Sequence, residues 1–456
     1  MTLRFCHADD VQNVWGHTTI GASRLRKLAD CEPAPFRVSF CRPHAGGGFD
    51  VFGVRGAKGI PWQVLRADTD DGTVFHDVRV VLEGAELPKP PNSEWAHTAT
   101  VSYSPDQERY LVLKNSRDYG GSFDTHAFVS GDGERWEPSP HNPVYREGDN
   151  WGAMWSPAAG RFICYNKGVV REPDKPLNEL IRDGMRTVSV RTSQDGLRWT
   201  PDDPNDFANG MQPPFEFSGV AAMKRLGGPL LAREHQITRD ELDPPDLEFY
   251  VARPFLYRET CFLQVLNYVG SFMPPGIAPM RPDGHGPGML DTEWWISRDG
   301  LRWERPFRGM HAGSVVISHN PMAAGGMLRF HQGDEIWGIG EDRLTFVQTV
   351  ANGAFETRTF THDGGSLGLN ATVPAPGVDN GDNRAYLMAE LVDGADRVVP
   401  GYEKERCIVQ GPLDAQAFPL RWGDATGAEL EGQPLRLRFY FQAALIYAVS
   451  SGRRDT

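Results

Sequence analysis

The chain has 456 residues, 40% of them apolar and 23% charged, which is the composition of an ordinary globular protein. A formal net charge of −13 argues against nucleic-acid binding, which needs a basic surface. There is also no run of about 20 apolar residues that could form a membrane span.

The N-terminal stretch MTLRFCHADDVQNVWG lacks the apolar core of a signal peptide, and the six cysteines are scattered without metal-ligand spacing. Reduced thiols and a cytoplasmic location are therefore expected. Residues 1–35 are predicted to form an N-terminal segment that precedes the first repeat. The high content of Gly (50) and Pro (35) favours many short strands joined by tight turns.

An Asp-Gly turn recurs along the chain. SGDGERW (130–136), SQDGLRW (193–199) and SRDGLRW (297–303) share one pattern, and TDDGTVF (69–75) and GEDRLTF (340–346) are weaker copies. In such a turn the Asp accepts hydrogen bonds from backbone N–H groups one or two residues on, and the Gly supplies a positive φ. The Trp behind the turn can pack between neighbouring sheets. The motif thus has a structural role, fixing the turn and packing neighbouring sheets, and its carboxylates are poor candidates for catalysis.

A hairpin pattern precedes two of the turns. VSYSPDQERYLVL (101–113) and AMWSPAAGRFICY (153–165) both read as strand, Ser-Pro turn, strand. Five units of four short strands predict a five-bladed β-propeller over residues 36–350. The repeat ends there, and residues 351–456 are predicted to form an antiparallel β-sandwich with strands at 366–373, 384–393 and 435–449. The predicted fold is all-β, a five-bladed propeller followed by a C-terminal sandwich.

These motifs, together with GRFICYNKG (160–168), DLEFYVARPFLY (246–257) and the closing strand at 432–447, resemble a bacterial family. It is the glycosyl hydrolase family 32-like group, related in fold to glycoside hydrolase families 32, 43 and 68. The resemblance covers residues 36 to 450 approximately. It implies a propeller followed by a sandwich, and cleavage of glycosidic bonds, often in furanosides. A fold does not by itself set a reaction.

Glycoside hydrolysis uses two carboxyl groups that flank the scissile bond. In a propeller, the residues at the start of each innermost strand converge on the axis. Asp149 precedes the third blade, and Asp246 and Glu248 precede the fourth, so we predict these three as catalytic. Strand alternation would place Asp246 and Glu248 on one face. Aromatic neighbours such as Phe249 and Tyr250 favour the protonated carboxyl group that an acid catalyst needs.

Relatives carry an Asp near the start of the second blade, where this chain has Ala96-His97-Thr98. His97 is therefore a further catalytic candidate, as a general base or a sugar-binding group, although it could equally be a neutral packing residue. The first blade offers Arg42 and His44 near the axis. The predicted substrate-binding residues are Glu94, Trp95, Asn150, Trp151, Arg253, His319 and Asp124.

Two long segments and two aromatic residues complete the candidates. The Gly/Pro-rich loop 266–290 is predicted to wall the pocket, and the charged insert 171–187 to form a short helical excursion. Trp294 and Trp295 are candidates for stacking on sugar rings.

Three functions are consistent with the sequence. The first is a glycoside hydrolase without an organic cofactor. The second is a carbohydrate lyase or transglycosylase that uses His97, and the third is a non-catalytic glycan-binding propeller. Each has a carbohydrate as its ligand, and no metal-binding residues are predicted. A structural Ca²⁺ near the axis is conceivable, but no loop of clustered acids predicts it. The sugar, the anomeric outcome and the oligomeric state stay open.

Overall fold

The computed structural model describes residues 1–56, 62–84, 99–117, 123–147, 150–171, 184–200, 236–237, 239–244, 247–269, 289–375, 385–425 and 427–452. Strands dominate these ranges, and the helical content is three short 3-10 helices at Ala8–Asp10, Lys404–Arg406 and Ala428–Leu430. No helix in the described part of the chain has the length and apolar character needed to span a bilayer.

The chain divides into two compact units. The propeller unit comprises Leu25–Gly325 and Arg329–Gly338, and the sandwich unit comprises Met1–Arg24, Gly326–Leu328 and Ile339–Thr456. The fold is therefore a five-bladed β-propeller followed by a C-terminal β-sandwich, and the first 24 residues belong to the sandwich unit.

The blades follow one another along the chain. Three strands precede them: β1 (Thr2–Arg4), β2 (Val11–Ala22) and β3 (Arg26–Asp30). The first blade contains β4 (Arg37–Pro43), β5 (Phe49–Arg55), β6 (Gln63–Thr69) and β7 (His76–Glu83). The second contains β8 (Ala99–Ser104), β9 (Arg109–Arg117), β10 (Phe123–Ser130), β11 (Glu137–Pro138) and β12 (Tyr145–Glu147).

The third blade contains β13 (Asn150–Ser156), β14 (Arg161–Arg171), β15 (Gly184–Ser193) and β16 (Gln236–Ile237). The fourth contains β17 (Leu247–Tyr257), β18 (Thr260–Val269) and β19 (Met289–Ser297). The fifth joins β20 (Met322–Ala324), β21 (Met327–Gln332) and β22 (Glu335–Gly340) to β3. A strand from before the first blade thus completes the last sheet.

The first strands of the blades form the inner ring. Strand β8 contacts β4 on one side and β13 on the other, β13 also contacts β17, and β20 contacts β4. Middle strands such as β5, β14 and β18 are buried on both faces and are apolar at successive positions, whereas the outer strands β7 and β11 are exposed. In β14, Phe162 packs towards the second blade with Leu111, whereas Ile163 packs towards the fourth with Leu263. Successive side chains of a strand point to opposite faces, so one run of apolar residues packs against the blades on both sides.

The three full Asp-Gly turns share one hydrogen-bond pattern. Asp132 accepts from the backbone N–H groups of Glu134 and Arg135, at 2.8 Å each, and Asp195 and Asp299 do the same in their own turns. The donors lie two and three residues on, one residue further than predicted. They lower the pKa of Asp132 to about 2, the Arg135 N–H first. These carboxylates are thus engaged by the turn backbone.

The last copy of the turn is built differently. Arg343 stands where the other copies have Gly, and Asp342 itself adopts the positive φ of 56°. Its carboxylate accepts a hydrogen bond from Arg4 Nε at 2.6 Å. Asp tolerates the left-handed conformation better than most residues, so the turn survives without its glycine.

The sandwich unit contains one ten-stranded antiparallel sheet. Its further strands are β23 (Thr345–Thr357), β24 (Phe360–Thr361), β25 (Ser366–Val373), β26 (Tyr386–Asp393), β27 (Ile408–Gln410), β28 (Leu413–Pro419), β29 (Pro434–Gln442) and β30 (Leu445–Gly452). The order is β27-β26-β29-β23-β30-β25-β28, with β1 on β30, β2 on β23 and β24 on β29.

The apolar stretch predicted as one strand at 435–449 is two strands. Strands β29 and β30 are separated in the sheet by β23, and the chain turns between them at Ala443, where φ is 52°. The local pattern is apolar on both sides of this turn, so alternation alone does not reveal the break.

Candidate functional site

A cavity of about 430 Å³ runs along the inner ring of the propeller unit. Residues of β4, β8, β13 and β17 line it, together with residues 318–320, which precede β20. Its volume falls in the range of small-molecule sites, and most of its wall is apolar or aromatic. We call it the axial cavity.

Two of the predicted substrate-binding residues, Arg253 and His319, line the axial cavity. The imidazole of His319 is engaged at both nitrogens. Nε2 accepts a hydrogen bond from the backbone N–H of His331 at 2.8 Å, so Nδ1 carries the proton and donates to the Asn320 carbonyl at 2.6 Å. His319 is therefore a neutral, fixed residue of the wall, with no ring nitrogen left for a sugar hydroxyl.

Glu248, the predicted acid catalyst, is the second residue of β17 and is 7% exposed. It does not line the axial cavity. Its carboxylate forms an ion pair with Arg186 of β15, with Nη1 and Oε2 3.3 Å apart. The Arg186 guanidinium also lies over the ring of Tyr250, 4.7 Å from its centroid. Glu248 thus faces a cation, and the expected aromatic neighbour Tyr250 contacts that cation.

Arg186 was missed by the sequence analysis, because the insert 171–187 was predicted to be helical. That prediction is wrong at both ends of the insert: β14 continues to Arg171, and β15 begins at Gly184. The signal was present in the stretch GMRTVSVRTS, where Arg186, Val188 and Val190 alternate with polar residues as in a strand.

Other predicted residues lie elsewhere. Asp124 is on β10, opposite Ser116 of β9 and Arg146 of β12, and it does not line the axial cavity. Asn150 and Trp151 begin β13, but their side chains are outside the described part of the structure. Also outside the described residues are the predicted catalytic residues Asp149, Asp246 and His97, the predicted substrate-binding residues Glu94 and Trp95, and most of the loop 266–290.

Trp294 and Trp295 cannot stack on a sugar, because both side chains are fully buried. Trp294 packs edge-on against Phe255 with ring centroids 5.8 Å apart, and Trp295 packs edge-on against Phe249 at 5.0 Å. Adjacent residues of a strand point to opposite faces. The pair therefore serves the two interfaces of the fourth blade.

Within the described residues, His44, Asp50 and Asp68 have ligand atoms within 4.8 Å of one another, a spacing that could hold a metal ion. The residues do not suit a cation, however. Asp50 is fully buried and accepts hydrogen bonds from Arg42 Nη2 at 3.0 Å and from Arg66 Nε at 2.9 Å. Two guanidinium groups thus take up its charge and would repel a metal ion.

No family model and no curated protein matches this chain. Among solved structures, it is similar to a GH43 β-xylosidase/α-arabinofuranosidase from a compost microbial metagenome, with 13% identity, 74% of this chain and 90% of that chain covered, and a TM-score of 0.34. A GH32 β-fructofuranosidase of Bombyx mori has 10% identity, 93% of both chains covered, and a TM-score of 0.35.

An N-acetylgalactosamine deacetylase from F. plautii, solved in complex with blood group B trisaccharide, has 11% identity, 97% of this chain and 96% of that chain covered, and a TM-score of 0.36. The structural neighbours thus include glycoside hydrolases of families 32 and 43, to which the family 32-like group that the sequence motifs resemble is related in fold.

Proposed function

We propose that this protein is a glycoside hydrolase acting on a small glycoside or oligosaccharide, with furanosides as the first class to test. The observation that carries the proposal is Glu248, a buried carboxylate near the start of the innermost strand of the fourth blade. A charged residue in such a place is costly unless it is paired or has a function, and its pairing to Arg186 leaves it fixed in one orientation.

The ion pair suggests which role Glu248 takes. Arg186 holds the Glu248 side chain in one orientation by their contact at 3.3 Å. A positioned carboxylate is what a general base or a nucleophile needs, so we assign Glu248 to that role. The aromatic neighbour Tyr250 then acts on Arg186, by holding the guanidinium against its ring. The acid is assigned to Asp149 or Asp246, on the sequence argument alone.

The test is product release from a panel of furanosides, pyranosides and oligosaccharides, with Glu248→Gln and Asp149→Asn variants beside the unmodified protein. Each variant removes one carboxylate with little change of shape, and we expect kcat/KM to fall by about 10²–10⁴-fold in each. Glu137→Gln is the control, because Glu137 lies on the short outer strand β11 and is exposed.

The outcomes separate the alternatives. Hydrolysis that persists in both variants at the level of Glu137→Gln would show that this carboxylate assignment is wrong. An unsaturated product would indicate a lyase, and a new glycosidic bond a transglycosylase, the reactions for which His97 is the candidate. Sugar binding without turnover would indicate a glycan-binding propeller.

A further inference from the structure

We propose that the axial cavity binds a compact, neutral aromatic molecule of one or two rings, at a site distinct from Glu248. The proposal goes beyond the hydrolase function and does not depend on it. It rests on where the cavity opens, on the aromatic side chains that line it, and on the way its polar and charged groups are already paired.

The axial cavity reaches the surface at the ends of the innermost strands. Pro43 is the last residue of β4, Pro105 follows β8 and Pro157 follows β13, and these three exposed prolines line the cavity. On β17 the lining begins at Arg253, which is about 15 Å from Glu248 along an extended strand. The axial cavity is therefore separate from the carboxylate proposed for hydrolysis.

Aromatic side chains reach the cavity from four blades. They are Phe40 of β4, Tyr103 of β8, Trp155 of β13 and Phe255 of β17. Aromatic rings attract a further ring in offset or edge-on arrangements, in addition to the gain from burying apolar surface. The prolines of the lining add apolar surface and have no N–H group to offer a polar ligand. The wall therefore suits a flat apolar body.

Many polar groups of the wall already have partners within the protein. The Asn320 amide accepts from the Cys41 N–H at 3.0 Å and donates to the Cys41 carbonyl at 2.7 Å. Trp155 Nε1 donates to Asp106 at 3.0 Å, and Thr100 Oγ1 accepts from a backbone N–H of β13 at 3.2 Å. A sugar needs a partner for each of its hydroxyl groups when it is buried, so this wall is poorly suited to one.

The arginines of the wall are also engaged. Arg42 Nη2 donates to Asp50 at 3.0 Å, and Asp50 also accepts from Arg66 Nε at 2.9 Å. Arg66 Nη1 is in turn paired with Glu134 at 2.7 Å, so two carboxylates serve these two guanidinium groups. Arg253 is not free either. An anionic ligand would therefore lose its hydration without gaining an unpaired cation, which favours a neutral one.

The volume of the cavity sets the size of the ligand. An apolar cavity of about 150 Å³ is enough to bind benzene. The axial cavity has a volume of about 430 Å³, so it has room for two fused rings. A neutral two-ring compound with one hydroxyl group, 2-naphthol, is the probe that matches this size and wall.

The experiment is calorimetric titration of the full chain with 2-naphthol, 2-naphthoate and glucose. We expect 2-naphthol to bind, 2-naphthoate to bind more weakly by about tenfold or more, and glucose not to bind. The heat capacity change for 2-naphthol should be negative, as for any ligand that buries apolar surface. Raising NaCl from about 20 to about 200 mM should change its affinity by less than about twofold, because no charge is involved.

Ser318→Phe tests the location, because Ser318 is half-buried and lines the cavity. The larger side chain takes up space that the ligand needs, so binding of 2-naphthol should weaken by about tenfold or more. Ser314→Phe is the matched control, since Ser314 is exposed and does not line the cavity, and it should bind like the unmodified protein. Circular dichroism checks that both variants fold.

Leu256→Asn is a second variant, which makes the half-buried lining more polar without filling it. It should weaken binding of 2-naphthol by about threefold or more, because apolar contact area is lost. Leu242→Asn is its control, at a position that is 73% exposed and outside the lining.

The proposal is overturned if glucose or 2-naphthoate binds as tightly as 2-naphthol, if 2-naphthol does not bind, or if Ser318→Phe and Ser314→Phe bind it alike. Binding of 2-naphthol that persists in Glu248→Gln would support a site separate from that carboxylate, and its loss would contradict one. Loss of hydrolytic function alone leaves this test unaffected.

Discussion

A histidine whose two ring nitrogens are both bonded to the backbone acts as a rigid part of the wall. His319 accepts from one peptide N–H and donates to one carbonyl, a pattern that only the neutral ring can satisfy. Protonation would place a second N–H against the His331 N–H. His319, which was predicted from the sequence to bind the sugar, therefore connects the start of the fifth blade to its second strand, β21.

This arrangement predicts a pH dependence of stability. Burial lowers the pKa of His319 from the ordinary value of 6.5 to about 4. The unfolded chain thus binds a proton before the folded one does, so the contribution of this residue is complete above pH 6.5 and is lost as the pH falls towards 4. We expect His319→Gln to remove up to about 3 kcal/mol of the difference in unfolding free energy between about pH 7 and pH 4.

The measurement is urea unfolding of the propeller unit at several pH values. His76→Gln is the control, because His76 is exposed on β7 and should leave the pH dependence unchanged. An identical pH dependence in His319→Gln and the unmodified protein would contradict the assignment of this titration to His319.

At the scale of the element, the Asp-Gly turn depends on one glycine in particular. Gly133 has φ of 75°, and a Cβ there would lie 2.9 Å from the Phe52 ring. Gly131, two residues earlier in the same turn, would meet nothing within 4 Å. An alanine at position 133 would therefore experience both the left-handed conformation and a close contact with Phe52. An alanine at position 131 would only add a methyl group, so it serves as the control.

We expect Gly133→Ala to lower the free energy of unfolding by about 1–2 kcal/mol, because the left-handed conformation is unfavourable for any residue with a Cβ. Gly131→Ala should change it by no more than about 0.5 kcal/mol. Thermal or urea unfolding of both variants is the test. Equal effects at the two positions would mean that the turn does not impose its backbone conformation.

The elements were predictable where the pattern is local and periodic. Ser-x-Asp-Gly turns and apolar strands indicated the blades, because a turn and its two strands are contiguous in the sequence. The partner of Glu248 was not predictable in the same way. The pairing of Arg186 with Glu248 joins two blades, and neither the spacing of the two residues nor their own patterns specifies which side chains of neighbouring blades meet.

At the scale of the whole molecule, the least predictable feature was which strands the first 30 residues pair with. Strand β2 pairs with β23, so that Val11 lies opposite Thr357, and β3 joins β22 of the fifth blade. These pairings connect distant parts of the sequence. The local sequence predicts β2 only as a strand of alternating polar residues. It does not indicate which distant strand pairs with β2.

The contribution of this segment can be measured at Phe5. Its ring is fully buried and packs edge-on against Phe355 of β23, with centroids 5.2 Å apart. Phe5→Ala should lower the stability of the sandwich unit by about 3–5 kcal/mol. Val14→Ala, at a position 48% exposed on β2, should cost no more than about 0.5 kcal/mol. Similar losses in the two variants would contradict a core role for the N-terminal segment.

The pairing of β1 with β30, in which Thr2 lies opposite Ser450, also sets an order of events during translation. Leu3 and Phe5 leave the ribosome before any blade, whereas the strand that covers them is made after all five. Domains fold as units while the chain emerges, so the first four blades have all their strands long before the sandwich does. Leu3 and Phe5 therefore stay exposed to water and chaperones until the strands that cover them have been made.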